Sequence, residues 1–139
     1  MCGISGLHHK LSTPTPSGEA ILNQMNETLL HRGPDGSGLE WMPNENFGLA
    51  HRRLAIIDLT PAGAQPMCID QRYWLSFNGE IYNYLELRAE LAAAGHRFRT
   101  GTDTEVILAA YLEWGTSCVT RFNGMWAFAL VDERSGRLF

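Results

Sequence analysis

No stretch of this 139-residue chain approaches the ~20 consecutive apolar residues that a membrane-crossing helix needs. The opening residues, MCGISGLHHK, lack the basic segment and apolar run of a secretory signal. Positive charge is scarce as well. Eleven Lys and Arg stand against 15 Asp and Glu, a formal net charge of −4. That excludes a basic footprint for nucleic acid or an anionic membrane. The three cysteines, Cys2, Cys68 and Cys118, are odd in number, far apart and form no C-x-x-C pair. Neither a disulfide framework nor a zinc ribbon is therefore expected, and a reducing, cytoplasmic location is expected. None of His8, His9, His31, His51 and His96 stands in H-x-x-x-H or H-E-x-x-H spacing, so no metal site is expected. Repeats, low-complexity tracts and linkers are missing too, which leaves one domain over residues 1–139.

What is present suits a packed globular domain. The chain is 45% hydrophobic and 19% charged, ordinary for a soluble fold. At this length folding buries roughly two-thirds of the unfolded surface, enough for a core without disulfides or metal. Cys2 to Leu7 reads as a buried strand, and Thr13 to Pro16 as a loop. Glu19 to Leu30 reads as a helix with Leu22, Met25 and Leu29 on one face. HRGPDGSG, His31 to Gly38, has loop composition. Phe47 to Asp58 reads as a strand and Thr60 to Pro66 as a turn region. Tyr73 to Asn78 alternates as a strand does and delivers Asn78-Gly79 to a turn.

Two helices follow. Asn83 with Glu86 has capping-box spacing before Leu87 and Leu91, and Gly95 stops the helix. Thr102 with Glu105 caps a second, whose apolar positions are Val106, Ile107, Ala110, Tyr111 and Trp114, with Gly115 at its end. Met125 to Val131 reads as a strand, Asp132 to Gly136 as a hairpin turn, and Arg137 to Phe139 as the opening of a last strand. The chain stopping there points to a domain truncated at its C-terminus. Strands early and late around central helices make an α+β layered domain.

Several residues could carry chemistry. A cysteine thiol attacks as thiolate and needs a base. With Met1 removed, Cys2 would supply both the nucleophile and an α-amine whose reference pKa of about 7.7–8.0 suits proton transfer at neutral pH; the plain alternative is an apolar cysteine at a strand start. FNGE, Phe77 to Glu80, is first a turn signal, although an amide beside an unhindered glycine N–H can also build an oxyanion hole. Arg52 and Arg53 could grip a carboxylate bidentately or sit as solvated charges on an edge strand. Asp103 could complement a helix dipole or hold an ammonium group. Glu86, Arg88 and Glu90 read as a solvated helix face. Trp41, Trp74, Trp114 and Trp126 read as core.

Seven blocks in one order, MCGISG, LLHRGPDGSG, LAHRRLAIIDL, GAQPM, FNGEIYNY, TGTDTEVIL and FNGMWAFALVD, resemble the glutaminase domain of glutamine-dependent asparagine synthetases. These are class II glutamine amidotransferases with an N-terminal nucleophile. The resemblance implies a four-layer αββα sandwich of two antiparallel sheets between helices. It implies Cys2 as nucleophile, and Asn78 with the Gly79 N–H as oxyanion hole. Arg53 would bind the glutamine α-carboxylate, with the backbone of Arg53, Leu54, Ala55, Ile56 and Ile57 lining the pocket. Glu80 and Asp103 would hold the α-ammonium group. Glutamine would be split to glutamate and ammonia. ATP and Mg would belong to a synthetase domain outside this chain, with no cofactor in this one. The acceptor of the ammonia is aspartate by this resemblance. Other acceptors in polysaccharide or peptide modification remain open, as do homodimerisation and a non-catalytic interaction module.

Overall fold

The structure, a computed structural model, describes residues 2–8, 18–42 and 47–139. Met1 and the expected Thr13–Pro16 loop lie outside the described residues. Two antiparallel sheets organise the chain. The first has the order β1 (Gly3–His8), β3 (Phe47–Arg53), β2 (Gly36–Met42). The second has the order β4 (Met67–Ile69), β5 (Tyr73–Ile81), β6 (Gly124–Asp132), β7 (Arg137–Leu138). Helix α1 (Gly18–Thr28) covers the outer face of the first sheet. Helices α2 (Tyr84–Ala93) and α3 (Asp103–Trp114) cover the outer face of the second. The order helix, sheet, sheet, helices is the expected αββα sandwich.

Side-chain alternation along β3 assembles these layers. Arg52 turns outward to α1, where its Nε donates to the Asn26 carbonyl at 3.1 Å and its guanidinium pairs with Glu27 at 2.5 Å. His51 turns inward, and its Nε2 meets the Phe77 carbonyl of β5 at 3.1 Å. Strand β5 divides its residues the same way. Leu75, Phe77 and Ile81 join Leu87, Leu91, Val106, Ile107 and Leu130 in the larger core beneath α2 and α3. Each such side chain, fully buried, contributes about 1.5–3 kcal/mol. Trp74 and Ser76 face the first sheet. Trp74 packs on a smaller cluster of Met42, Phe47, Leu49 and Val131, and the Ser76 hydroxyl donates to the Ala50 carbonyl at 3.1 Å.

Several elements depart from the sequence expectation. HRGPDGSG is not loop throughout, because Gly36 to Gly38 begin β2. A Cβ on Gly38 would lie 1.9 Å from the Gln65 carbonyl oxygen, so this glycine permits close approach rather than a turn. Strand β3 stops at Arg53, short of Asp58. Asp35 bends the chain away: its N–H donates to the Arg53 carbonyl at 2.9 Å and its Oδ2 accepts from Ala55 N–H at 3.0 Å. Asn78-Gly79 is no turn; β5 runs through it to Ile81. Asn83 makes no side-chain cap and instead joins Arg121 and Asn123, while Thr102 does cap α3 through Glu105 N–H at 3.3 Å. On α1 the buried positions are Leu22 and Asn26, and Met25 is exposed. Asn26 tolerates burial because its amide donates to Ser37 Oγ at 3.0 Å. Arg88 is less solvated than expected, lying over the Phe98 ring at 4.3 Å.

Candidate functional site

The geometry of the site follows from the shortness of β4. That strand pairs with β5 only at Tyr73, Trp74 and Leu75. Beyond Leu75 one edge of β5 is open, and the odd-numbered residues direct their peptide groups to it, as the Met67–Leu75 pairing and the Tyr82-to-Asn123 bond on the opposite edge require. Phe77 N–H is taken by Gln65 Oε1 at 2.7 Å and Ile81 N–H by Asp103 Oδ2 at 3.0 Å. Between them the same alternation aims Gly79 N–H into the cleft. Gly79 has φ +152°, and a Cβ there would fall 2.3 Å from the Met125 carbonyl oxygen, so only glycine fits.

The cleft is a pocket of about 300 Å³ between the ends of β1, β3 and β5 and the start of α3. Cys2, Arg53, Leu54, Ile56, Ile57, Asn78, Gly79, Glu80 and Asp103 all line it. Ala55 alone of the expected site residues does not; its N–H is turned to Asp35. Cys2 precedes β1, whose first residue is pressed against the turn that follows α1: a Cβ on Gly3 would meet Leu29 Cβ at 2.9 Å. The Cys2 Sγ accepts from Leu54 N–H at 3.3 Å, and its thiol reaches the Leu54 carbonyl at 3.6 Å. Asn78 is half-buried, and its side-chain amide has no hydrogen-bond partner among the described residues.

Charges of both signs line the pocket. Arg53 is clamped by the carbonyls of Thr60, at 2.8 Å, and Asp58. A Cβ on Gly63 would strike its guanidinium, so the 60s turn shapes the wall behind it. Asp103, the first residue of α3, is buried. Burial pushes its carboxyl up, against the hydrogen bonds from Ile81 and Thr104 N–H that lower it, and nearby Glu80 raises it further. Among the described residues no group of three or more His, Cys, Asp or Glu side chains could hold a metal ion. No helix among them is long and apolar enough to cross a membrane.

Sequence reasoning missed Gln65, Gly63, Thr102, Thr104, Tyr82 and Met125 as pocket residues. Gln65 stood in the GAQPM block, but nothing in its spacing showed that an amide two residues before β4 would reach β5.

Two antiparallel sheets between helix layers, with a thiol at the head of β1 opening on their seam, make up an N-terminal-nucleophile hydrolase fold. The solved glutamine phosphoribosylpyrophosphate (PRPP) amidotransferase from B. subtilis shares it, with a TM-score of 0.71 over 95% of this chain and 35% of that one, at 18% identity. The glutamine amidotransferase domain profile matches residues 1–139, and the chain belongs to that family. It is 41% identical to Asparagine synthetase [glutamine-hydrolyzing] 1 of Bacillus subtilis over all of this chain and 22% of that protein. It is 42% identical to Asparagine synthetase B [glutamine-hydrolyzing] of Escherichia coli over 95% of this chain. The chain spans 23% of that relative's length.

Proposed function

We propose that this domain hydrolyses glutamine to glutamate and ammonia, with Cys2 as nucleophile. The observation that carries the reading is the convergence on one pocket of a thiol, the Asn78 amide, which has no partner among the described residues, the Gly79 backbone, and charged groups of both signs. Glutamine is a zwitterion with a side-chain amide, and each part has a counterpart here. Arg53 takes the α-carboxylate, Asp103 and Glu80 the α-ammonium group. The amide carbon then lies toward Cys2, its oxygen toward Asn78 and Gly79.

With Met1 removed, the Cys2 α-amine accepts the thiol proton. The thiolate, held by Leu54 N–H, adds to the amide carbon. Asn78 and Gly79 N–H stabilise the resulting oxyanion, each donor worth about 3–4 kcal/mol in a water-poor site. The protonated α-amine passes its proton to the leaving nitrogen, ammonia departs, and water cleaves the thioester to glutamate. The names of the relatives support asparagine synthesis as the use of the ammonia; that aspartate accepts it, on a synthetase segment that binds ATP and Mg in the cytoplasm, is part of the proposal.

The test is Cys2→Ala in the protein carrying this chain. Glutamate release from glutamine should fall to background, while use of added ammonia persists. Cys68→Ala and Cys118→Ala should retain glutamine hydrolysis, since neither thiol lines the pocket. Glutaminase activity surviving in Cys2→Ala would overturn the reading.

A further inference from the structure

On its open edge β5 is held at Phe77 by two side chains instead of a neighbouring strand. Gln65 Oε1 takes the Phe77 N–H at 2.7 Å, and His51 Nε2 meets the Phe77 carbonyl at 3.1 Å. Both side chains are buried, His51 with 1% exposure. A carbonyl only accepts, so Nε2 carries the proton, which leaves Nδ1 as a buried acceptor without a partner among the described residues. Burial also holds the His51 pKa down at about 4, so the ring stays neutral at working pH and keeps this tautomer. The other end of the Gln65 amide donates to Thr104 Oγ1 at 3.2 Å. Thr104 follows Asp103, whose carboxylate takes Ile81 N–H two residues beyond Gly79.

We infer that Gln65 and His51 are positioning residues that stand in for the missing β4 partner and set the Asn78–Gly79 oxyanion donors against Cys2. The peptide joining Phe77 to Asn78 is planar, so fixing the Phe77 carbonyl fixes the position of the Asn78 Cα, from which its side chain and the peptide carrying Gly79 N–H project. Gln65 ties the preceding peptide, through Phe77 N–H, to Thr104 of α3, and so holds the distance between the oxyanion donors and the ammonium-holding carboxylate. A merely structural pair would satisfy the same two backbone groups with no selective effect on the chemical step. Misplacing reacting groups by about 1 Å can cost on the order of a hundredfold in rate. The inference rests on the amide-hydrolysis reading above.

The test uses the purified protein carrying this chain and three measurements: kcat and KM for glutamine hydrolysis, affinity for glutamate, and affinity for the glutamine analogue in which an aldehyde replaces the carboxamide. Cys2 adds to that aldehyde to give a hemithioacetal, whose oxygen stands where the oxyanion forms. Gln65→Met, which keeps the size and removes both hydrogen bonds, should lower kcat roughly 10- to 100-fold, with a smaller change in KM. Aldehyde affinity should fall in parallel with kcat/KM, and glutamate affinity by no more than about threefold. Gln65→Glu keeps the acceptor for Phe77 N–H and should recover most of the loss.

Thr104→Val frees only the far end of the amide and should show the same pattern at about 3- to 10-fold, which keeps the inference testable if Gln65→Met does not fold. A kcat unchanged in folded Gln65→Met or in Thr104→Val overturns it, as does equal loss of aldehyde and glutamate affinity. If the unmutated protein with a free Cys2 amine hydrolyses no glutamine, the functional reading falls and this inference with it. If the unmutated protein is active and the variants match it, only this inference falls.

Discussion

Where sheet β4-β5-β6-β7 meets α2 and α3, the contact is almost wholly apolar: Leu75, Phe77, Ile81 and Leu130 against Leu87, Leu91, Val106 and Ile107. Where its other face meets sheet β1-β3-β2, only one end is apolar, and the rest is His51, Ser76 and the pocket. The first layer is held by burial, which is non-directional, so it tolerates small shifts. The second is held by hydrogen bonds with named partners, each costly to leave unmade. Stability is thus concentrated on one side of β5 and chemistry on the other.

The largest stability effect should come from cutting the apolar layer. Leu91→Ala removes a fully buried side chain that does not line the pocket and should cost about 3–4 kcal/mol in urea unfolding, leaving KM for glutamine unchanged below the transition. A KM that moved with stability would break the separation of the two layers.

Asp103→Asn cuts the other way. Burial raises the Asp103 pKa, so its ionisation opposes folding as pH rises through that pKa. Asparagine stays neutral, and its Oδ1 can still accept from Ile81 N–H. Unfolding stability at pH 7 should hold or rise, while glutamine binding weakens by about 2–4 kcal/mol through loss of a buried charge partner. Calorimetric titration with glutamine, beside a denaturation curve, separates the two effects.

The apolar layer was the more legible of the two in sequence. Its helices show as periodic Leu, Val and Ile, and Thr102 with Glu105 marks where α3 begins. The pocket side was legible only as ordered blocks. Asn78-Gly79 has the composition of a hairpin turn, and its place inside β5 depends on pairing with Ala127 and Trp126 of β6, a tertiary fact that no local pattern carries. Leu54 to Ile57 look like strand because they are apolar, yet Ile56 and Ile57 are exposed at the pocket. The glycines of β2 look like loop because close backbone approach and turn formation call for the same residue. Gln65 was invisible because its role is long-range, 12 residues to Phe77 and 39 to Thr104.

His51 sharpens the comparison through pH. Its folded pKa of about 4 lies below the ordinary 6.5, so between those values the unfolded chain takes up a proton that the folded one refuses. The stability it contributes is complete above pH 6.5 and is lost as pH falls toward 4, by about 2 kcal/mol at pH 5. Carboxylates titrate in the same range, so the measurement is a difference. His51→Gln, which can still donate to the Phe77 carbonyl, should flatten the pH dependence of the unfolding free energy by that amount. An unchanged slope would mean that the polar layer does not hold a neutral histidine.

The smallest effect is expected at Thr102, where the two layers share a residue. Its Oγ1 accepts from Glu105 N–H and so closes the first turn of α3, part of the apolar layer. Its neighbour Asp103 belongs to the pocket, and Thr102 itself lines the wall. Thr102→Ala should cost about 1 kcal/mol, the usual loss for an N-cap hydroxyl. Because the frayed turn carries Asp103 with it, KM for glutamine should rise a few-fold with kcat nearly constant, while Thr102→Ser, which keeps the oxygen, should restore both. If stability fell and KM did not, the capping turn and the pocket at Asp103 would be mechanically independent, and the boundary between the layers would lie inside α3 rather than at its first residue.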